Sequence, residues 1–299
     1  MEYEQDSLRR FIFENEHIRG EWVCCHASYQ AVLSRHPYPA SVGQLLGQAL
    51  ATSVLLAATI KFQGALSLQV QSKDYLKLLL AQCTHDLHVR GLAQYQEDSL
   101  APADSNDLSS RDLLSKGQLM IAIDQSQPNQ PQQRYQGIVD CQGQELAHIV
   151  EQYFLRSEQL PTRLWLAANS QQVCGLLLQQ MPFAGEPQPE AWQNIITLTE
   201  TLTPAELLNE NCESLLVKLY HERKVRLFEP QLVSFRCQCN TERMEKALKM
   251  MTYEEVQDIL NTYQQVDITC EFCNAKRTFD RVDVERLFKS GLTGSGSQH

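Results

Sequence analysis

The chain has 299 residues, enough for two ordinary domains or one large one. Hydrophobic residues make up 43% and charged residues 21%, a composition that supports a packed core and argues against wholesale disorder. The 36 acidic residues exceed the 26 basic ones and give a formal charge of −10, which argues against nucleic acid or an anionic membrane as a partner.

The cysteine content is the most informative part of the composition. The ten cysteines are Cys24, Cys25, Cys83, Cys141, Cys174, Cys212, Cys237, Cys239, Cys270 and Cys273. Residues 1–10 are polar and charged and lack the apolar segment of a secretory signal, so we expect a cytoplasmic protein with reduced thiols. Ten cysteines in that compartment indicate buried apolar residues, metal ligands or redox chemistry rather than a disulfide scaffold.

Residues 41–60 form the first long apolar segment. The segment carries no charge, but only 12 of its 20 residues are apolar, and polar residues interrupt it. A membrane span needs about 20 predominantly apolar residues. We therefore expect a buried core helix, a soluble protein and no membrane partner.

The first 183 residues mix predicted strands and helices. Residues 65–71 place Leu66, Leu68 and Val70 on one face, as a half-buried strand does. Further elements are predicted as strands at 119–123, 135–139 and 164–168 and as a helix at 145–156. Because strands and helices do not alternate regularly, the predicted fold class is α+β, with one large N-terminal domain of mixed sheet and helix over 1–183.

A helical linker is predicted over 184–235, after a Gly/Pro-rich segment that indicates a domain boundary. Thr203 as N-cap, Pro204 at the first helical position and Glu206 in a capping box predict the start of its main helix. The apolar residues that form one stripe along this helix are Leu208, Cys212, Leu215, Leu216 and Leu219. We expect the stripe to pack on the N-terminal domain, on a neighbouring chain or on another protein.

A small C-terminal module is predicted over 236–289, followed by a flexible Gly/Ser-rich tail at 290–299. The Asn-Thr pair at 240–241 can cap a short helix that runs to position 249. Thr252 with Glu255 makes a capping box for a second helix.

Two close cysteine pairs stand in this module. Cys237 and Cys239 form a Cys-x-Cys motif, and Cys270 and Cys273 form a Cys-x-x-Cys motif at the turn of a hairpin predicted over 266–279. A Cys-x-x-Cys turn presents two sulfurs to one tetrahedral zinc ion, and an extended Cys-x-Cys segment can reach the same metal. A module of about 55 residues with few apolar side chains is marginal without such a cross-link, so we expect one zinc ion on four cysteines.

Three other interpretations of these cysteines stay open: four unrelated buried thiols, a permanent structural zinc site without redox switching, and a zinc-ribbon-type nucleic-acid-binding module. Residues 236–289 hold nine basic and ten acidic residues, which do not make the basic surface that nucleic acid requires. The sequence has no P-loop, nucleophile elbow or dinucleotide fingerprint. We therefore expect no ATP binding, no catalytic residues and no enzymatic activity.

Zinc-bound cysteines are thiolates, the form that peroxide and hypochlorous acid attack. Oxidation would join Cys237 with Cys239 and Cys270 with Cys273, since each partner is the nearest thiol, and zinc would then leave. Because zinc contributes on the order of 10 kcal/mol, its loss should unfold the module. The six cysteines for which we expect only a packing role are Cys24, Cys25, Cys83, Cys141, Cys174 and Cys212.

An ordered set of sequence blocks resembles the redox-regulated 33-kilodalton heat-shock chaperone family (the HslO family). The blocks are Phe-Glu-Asn at 13–15, Ile-Arg-Gly-Glu at 18–21, Arg-Tyr-Gln-Gly at 134–137, Arg-Ser-Glu-Gln-Leu-Pro-Thr-Arg at 156–163, Tyr-His-Glu at 220–222, Pro230, Phe-Arg-Cys-Gln-Cys at 235–239, Cys-Glu-Phe-Cys at 270–273 and Phe279. The resemblance covers nearly the whole chain. Asn240 stands where the family usually has Ser, and both residues are good helix N-caps.

The resemblance implies an ATP-independent holdase that binds unfolding and oxidatively damaged proteins and prevents their aggregation. It implies a chaperone core that also forms the dimer, and a C-terminal redox sensor that binds one zinc ion in the reduced, inactive state. The zinc ligands it implies are Cys237, Cys239, Cys270 and Cys273. Oxidation to two disulfides releases zinc, destabilises the linker and activates the protein as a homodimer. The resemblance identifies no client-binding residue, and our own candidates are the linker residues Leu208, Leu215, Leu216 and Leu219.

Overall fold

The structure is a computed structural model and describes residues 6–96, 108–125, 133–182 and 189–292. The chain divides into two compact units, residues 1–236 and residues 237–299. Both units combine helices with antiparallel strand pairs, so the predicted α+β class is confirmed. Residues 1–5 of the polar N-terminal segment and the domain boundary predicted at 183–184 lie outside the described residues.

The described residues of the first unit form two six-stranded sheets. Their strands are β1 (Ser7–Phe13), β2 (Ile18–Cys25), β3 (Gly64–Gln71), β4 (Leu76–Thr84), β5 (His88–Tyr95), β6 (Gln118–Gln125), β7 (Gln133–Asp140), β8 (Thr162–Ala168), β9 (Val173–Gln180), β10 (Val225–Leu227), β11 (Gln231–Leu232) and β12 (Ser234–Phe235). Sheet A has the order β10-β1-β2-β9-β8, with β11 also pairing with β1, and sheet B has the order β12-β5-β4-β3-β6-β7. The four strands predicted from the sequence are confirmed as β3, β6, β7 and β8.

The helices of the first unit include three that follow the predicted domain boundary. They are α1 (Ala27–Leu33), α2 (Ala40–Thr59), α3 (Ser110–Leu113), α4 (Leu146–Tyr153), α5 (Pro189–Thr199), α6 (Pro204–Asn209) and α7 (Cys212–Tyr220). The helix predicted over 145–156 is α4, which continues as a π-helical turn over Phe154–Glu158. Gln159 ends this turn with a φ of 55°, in the left-handed region that commonly terminates helices.

Helix α2 lies at the centre of the first unit. It contacts β3, β4 and β5 of sheet B and β2, β8 and β9 of sheet A. Its polar side chains are satisfied within the helix: Thr52 Oγ1 donates to the Gln48 carbonyl and Ser53 Oγ to the Leu50 carbonyl, each at 2.7 Å. Among the described residues α2 is the one helix long and apolar enough to cross a membrane, and it is largely buried inside the protein. The core helix predicted over 41–60 is confirmed.

Sheet A is buried on both faces. Along β9, Val173 and Leu177 pack toward α2, while Leu176 and Leu178 pack on the opposite side. A continuous apolar strand of this kind is typical of a sheet covered on both faces. Helices α5, α6 and α7 cover the side away from α2 and form with it what we call the linker cluster. Its buried residues are Phe11, Phe13, Ile18, Trp22, Ala167, Cys174, Leu176, Leu178, Ile195, Ile196, Leu207, Cys212, Leu215, Leu216, Leu219 and Tyr220.

The prediction of one continuous linker helix under the apolar stripe is wrong. Thr203 and Glu206 form the predicted capping box of α6, but that helix ends at Asn209. Asn211 then caps a second helix, α7, because its side-chain oxygen accepts a hydrogen bond from the Ser214 backbone N–H. Leu208 is half-buried beside the linker cluster. The stripe residues buried in the linker cluster are Cys212, Leu215, Leu216 and Leu219.

The region 184–235 also contains three strands that the sequence did not reveal. Strands β10 and β11 pair antiparallel with β1, and β12 pairs in parallel with β5. The Arg236 backbone N–H extends the latter pairing with a hydrogen bond of 3.0 Å to the Val89 carbonyl. The region predicted as a linker is thus part of the first unit and covers part of one edge of each sheet.

The second unit is a hairpin packed among helices. Its elements are α8 (Thr241–Leu248), α9 (Tyr253–Tyr263), β13 (Val266–Thr269), β14 (Lys276–Phe279) and α10 (Arg281–Leu292). The cap at Asn240 and the capping box of Thr252 and Glu255 are present as predicted. The predicted start of a flexible tail at 290 is wrong, because α10 runs through 290–292. The start of α10 is fixed by the Asp280 carboxylate, which accepts a hydrogen bond from the Asp283 N–H at 2.8 Å. Residues 293–299 lie outside the described residues.

One carboxyl group is buried in sheet A. Glu21 of β2 is 2% exposed, lies 3.9 Å from the Arg19 guanidinium, and has no hydrogen-bond partner for its Oε2 atom among the described residues. Burial raises the pKa of Glu21 to about 7, although Arg19 and Arg10 act in the opposite direction. This carboxyl therefore holds its proton nearly to neutral pH in the folded protein.

Candidate metal centre

The four sulfur atoms predicted as zinc ligands lie together in the second unit. The Sγ atoms of Cys237, Cys239, Cys270 and Cys273 are all within 4.8 Å of one another. The first pair precedes α8, whose start is fixed by the Asn240 cap. The second pair lies in the turn between β13 and β14. The cluster thus joins the first residues of the unit to its hairpin.

Backbone hydrogen bonds shape the turn that carries the second pair. The Cys270 N–H donates to the Ala275 carbonyl at 2.9 Å, and the Asn274 N–H donates to the Cys270 carbonyl at 2.8 Å. Asn274 adopts a φ of 57°, which asparagine tolerates better than most residues. The backbone N–H groups of Phe272 and Cys273 hydrogen-bond to Cys270 Sγ. Donors aimed at a sulfur favour its thiolate form, the form that binds metal.

The spacing of the sulfurs fits a tetrahedral zinc site. Cys237 Sγ lies 3.6 Å from Cys270 Sγ, and Cys239 Sγ lies 3.3 Å from Cys273 Sγ. A tetrahedral zinc ion with Zn–S bonds of about 2.3 Å holds its sulfurs about 3.8 Å apart. A donor set of four thiolates is typical of structural zinc sites. These four residues therefore fit the metal that the sequence predicts.

The electrostatics of the cluster also favour a bound cation. Burial raises the pKa of the Cys237 thiol, but hydrogen bonds from the Cys239 backbone and from neighbouring thiols outweigh it and lower the pKa to about 7. Burial, together with hydrogen bonds that the protonated Cys239 and Cys270 thiols donate to neighbouring sulfurs, raises the pKa of both residues. Several thiolates cannot form at such short separations unless a positive charge stabilises them.

The short sulfur–sulfur contacts join the two motifs instead of the members of one motif. Cys237 meets Cys270, and Cys239 meets Cys273. Proximity in the folded cluster therefore does not by itself select the disulfides Cys237–Cys239 and Cys270–Cys273. Those two pairs stay a prediction.

The apolar core of the second unit is small. Its buried residues are Met244, Leu248, Val256, Leu260, Val266, Phe279, Val284 and Leu287. Ion pairs such as Lys246–Glu242 at 2.7 Å lie on the surface, where they add little stability. A core of this size is marginal without a disulfide or a metal, so the four-cysteine cluster is well placed to determine whether the unit folds.

Polar contacts accompany the apolar contacts of the linker cluster. Arg9 of β1 pairs with Glu213 of α7 at 3.2 Å, and the Gln172 side-chain amide donates to the Leu208 carbonyl at 2.5 Å. The buried hydroxyls of Thr199 in α5 and Tyr220 in α7 lie 2.6 Å apart. Polar contacts therefore hold the linker helices to sheet A and to one another, in addition to apolar packing.

The residues of sheet A beneath the linker helices were not identified from the sequence. They include Phe11, Trp22 and Leu176, all of which are buried in the linker cluster. The unbroken apolar run of β9 was the available signal, because a strand apolar on both faces must be covered on both. Such a run does not say which segment covers the second face.

The packing role expected for six cysteines holds for four of them and is wrong for two. Buried single thiols, as expected, are Cys25, Cys83, Cys141 and Cys212. Cys24 and Cys174 instead form a disulfide between β2 and β9, with their Cα atoms 4.1 Å apart. The two residues are separated by 150 positions in the sequence, so only the strand pairing reveals their contact.

Comparisons with known proteins agree with the fold and the cysteine cluster. The Hsp33 protein family matches residues 6–280 of the chain. The 33 kDa chaperonin of Pseudomonas aeruginosa (strain LESB58) is 43% identical over 298 residues, which are 98% of this chain and 96% of that protein. The 33 kDa chaperonin of Nitrosococcus oceani is 45% identical over 284 residues, covering 95% of this chain and 94% of that protein.

A solved structure shows the same fold. The crystal structure of the 33 kDa chaperonin from Thermotoga maritima, a heat shock protein 33 homologue, is similar with a TM-score of 0.80 at 18% sequence identity. The similarity covers 96% of this chain and 99% of that one. With the family match across both units and relatives above 40% identity over nearly the full length, the chain belongs to the Hsp33 protein family.

Proposed function

We propose that this protein is a redox-regulated, ATP-independent chaperone of the cytoplasm that holds unfolding and oxidatively damaged proteins and prevents their aggregation. Its relatives carry the name 33 kDa chaperonin. The observation that carries the proposal is the order of the chain: a four-thiol cluster begins directly after a region that covers an apolar sheet face. A sensor and a covered binding surface are thus joined through the backbone.

In the reduced, inactive state, Cys237, Cys239, Cys270 and Cys273 hold one zinc ion. Zinc, when bound, stabilises four thiolates and thereby the fold of the second unit. The cysteines supply the ligands, and the Asn240 cap and the hairpin turn fix their positions.

Oxidation removes the ligands. Peroxide or hypochlorous acid takes two electrons from each pair of thiols, and each pair becomes one disulfide. A disulfide sulfur no longer binds zinc, so the second unit loses its principal stabilisation. We propose the pairs Cys237–Cys239 and Cys270–Cys273, which peptide mapping of the oxidised protein would distinguish from pairs formed between the motifs.

Release of the linker helices then supplies the apolar surface for clients. The linker cluster hides aromatic and aliphatic side chains of both sheet A and α7. Large contiguous apolar patches are typical of protein-binding surfaces once they are exposed. Candidates for client contact are therefore the linker residues Leu208, Leu215, Leu216 and Leu219 together with the sheet residues that they cover. We propose that the oxidised form acts as a homodimer and needs neither ATP nor a catalytic residue.

The deciding experiment compares reduced and oxidised protein in one aggregation assay. Light scattering follows a thermally unfolding reporter enzyme, while a chromogenic zinc chelator records metal release in parallel samples. We expect suppression of scattering only after oxidation, with loss of one zinc ion and four thiols per chain. Constitutive suppression would contradict redox control. No suppression in either state would favour a structural zinc module or a nucleic-acid-binding one.

A pair of variants on α7 tests the covered face. Leu215→Ala removes a side chain that is 1% exposed in the linker cluster, whereas Val217→Ala changes a neighbour that is 67% exposed. We expect Leu215→Ala to speed amide hydrogen exchange in α6 and α7 and to give partial suppression of scattering in the reduced state. Val217→Ala should behave as the wild type. Equal exchange in α7 before and after oxidation of the wild type would contradict linker release.

A further inference from the structure

Cys24 and Cys174 lie directly opposite one another at the centre of sheet A. The register of β2 and β9 pairs these two residues, and their Cα atoms are 4.1 Å apart. That spacing is close to the about 4.5 Å of a non-hydrogen-bonded antiparallel pair, in which side chains on one face approach most closely. The two sulfurs are bonded to one another in this structure.

Burial distinguishes Cys24 from the other thiols of the first unit. Cys174 is fully buried, but Cys24 is only half-buried at the margin of the linker cluster. Burial raises the pKa of Cys25 to about 12 and that of Cys141 to about 11, and it raises the pKa of Cys83 further still. Those thiols are both inaccessible and protonated, so oxidants attack them slowly.

The face that carries the pair also has a cation. Arg9 is paired with Trp22 in the register of β1 and β2, two residues along the strands from the pair of Ser7 and Cys24. Arg9 therefore lies diagonally adjacent to Cys24 on the same face of the sheet. Arg9 also forms an ion pair with Glu213 of α7.

We propose that Cys24 and Cys174 are a second oxidation-responsive thiol pair, independent of the zinc ligands, whose disulfide fastens the two central strands of sheet A. Peroxide transfers one of its oxygen atoms to the Cys24 thiolate, which becomes a sulfenic acid. The other oxygen of the peroxide is protonated and leaves as water. The Cys174 thiol then displaces the sulfenic oxygen as a second water, and the sulfur–sulfur bond forms. Cytoplasmic thiols such as glutathione reverse the step by two thiol–disulfide exchanges.

The bond would act where linker release weakens the protein. Sheet A loses the cover of one face when α5, α6 and α7 depart, a consequence that rests on the proposed function. A disulfide between positions 150 residues apart restricts the unfolded chain strongly and so favours the folded sheet. The Cys24–Cys174 disulfide would thus keep sheet A folded while oxidation of the four-cysteine cluster releases the linker helices.

The test begins with the wild-type chain, fully reduced, zinc-loaded and treated with hydrogen peroxide. Free thiols are alkylated, the protein is digested, and disulfide-linked peptides are identified by mass spectrometry before and after dithiothreitol. We expect a Cys24–Cys174 peptide that is absent before oxidation, is the main product containing Cys24, and disappears on reduction. Absence of this peptide, its linkage to Cys212 instead, or its presence before any oxidant would each overturn the proposal.

Stability supplies the second measurement. Thermal unfolding of the first unit is followed by tryptophan fluorescence in oxidised wild type, in Cys24→Ala/Cys174→Ala, and in the control Cys25→Ala, which changes the neighbouring thiol on the opposite face. The disulfide should raise the midpoint of oxidised wild type above that of the double variant by on the order of 10 °C, with no such gap between the reduced forms. Equal midpoints would overturn the fastening role.

Zinc release in the same samples separates this proposal from the proposed function. The double variant should release zinc on oxidation as the wild type does. If the wild type forms the Cys24–Cys174 bond but keeps its zinc, the result contradicts the proposed zinc switch and supports the second thiol pair. If zinc leaves and no Cys24–Cys174 peptide forms, the result supports the zinc switch and contradicts the second thiol pair.

Discussion

The two units of this chain are stabilised by different means. In the first unit, α2 lies between two sheets, and its buried side chains contact both of them. In the second unit, a short hairpin and the described helices share a much smaller apolar core, and four half-buried thiols join the start of the unit to its hairpin turn.

This difference determines how each unit can be switched. Stability in the first unit is distributed over many apolar contacts, so no single chemical event removes it. If the cluster holds zinc as proposed, stability in the second unit is concentrated in one group of reactive atoms. A change in four sulfur atoms would then unfold the second unit and leave the core of the first unit folded.

The largest expected effect comes from removing a zinc ligand. Cys273→Ser should abolish zinc binding and with it on the order of 10 kcal/mol of stabilisation, more than a small unit possesses. Amides of α8, α9 and α10 should then exchange as in an unfolded chain, while those of α2 stay protected. The control is Cys83→Ala, a buried thiol of sheet B. Protected amides in α9 of the zinc-free variant would break the comparison.

The corresponding test in the first unit is a substitution that creates a cavity in its core. Leu55 of α2 is fully buried, and Leu55→Ala should lower the free energy of unfolding of that unit by about 3 kcal/mol. Because a large core tolerates such a loss, the unit should stay folded at room temperature and the protein should keep its zinc. Urea titration monitored by tryptophan fluorescence gives the change, with Val217→Ala as a surface control. Loss of zinc in Leu55→Ala would show that the two units do not fold independently.

The units should also respond to pH in opposite directions. The pKa of Glu21 is about 7 in the folded chain and near 4.5 when unfolded, so the folded state binds the extra proton between these values. Stability of the first unit should therefore be greatest at low pH and fall by about 3 kcal/mol as pH rises from about 4.5 to 7. Zinc binding by thiolates weakens as pH falls.

Urea titrations between pH 5 and pH 8 measure the effect of Glu21. In Glu21→Gln the decline in stability of the first unit should be largely absent, because the amide cannot titrate. Zinc retention in the same samples should show the same pH dependence in wild type and variant. An unchanged slope in Glu21→Gln would show that another group controls the pH dependence of the first unit.

The smallest expected effect comes from replacing two matched helix caps, one in each unit. Asn211 caps α7 and Asn240 caps α8, and each accepts a backbone hydrogen bond at 2.8 Å. Replacement of either by alanine should cost about 1 kcal/mol. Asn211→Ala should raise exchange only in the linker helices, whereas Asn240→Ala should lower zinc affinity about fivefold, as competition with a chelator would show. If Asn240→Ala raised hydrogen exchange in α7 and left zinc affinity unchanged, the result would contradict the view that Asn240 stabilises the second unit.

Local sequence signals predicted the local structure well. The capping boxes at Thr203 and Thr252, the hairpin with its cysteine turn and the core helix α2 are all encoded within a few neighbouring residues. The clustering of Cys237, Cys239, Cys270 and Cys273 belongs to the same class, because the spacing within each pair indicates a shared site. The linker helix was predicted too long because its apolar periodicity continues from α6 into α7. The signal that separates the two helices is Asn211, which caps the start of α7.

Contacts between distant segments could not be predicted in this way. Strands β10, β11 and β12 are two or three residues long and gain their structure from the strands that they join. The Cys24–Cys174 pair and the sheet face beneath the linker depend on the pairing of β2 with β9, which sequence spacing does not report. The proposed function rests on the match to a known family, whereas periodicity predicted only the helices and strands.

The three short strands that follow α7 have a consequence for self-association. While β10 and β11 pair with β1, and β12 pairs with β5, the backbone N–H and C=O groups along those parts of both sheets are occupied. An unpaired strand at the margin of a sheet is a template on which extended segments of other chains add, and such additions lead to oligomers and aggregates. The region that covers the apolar face therefore also occupies sheet edges on which strands of other copies could add.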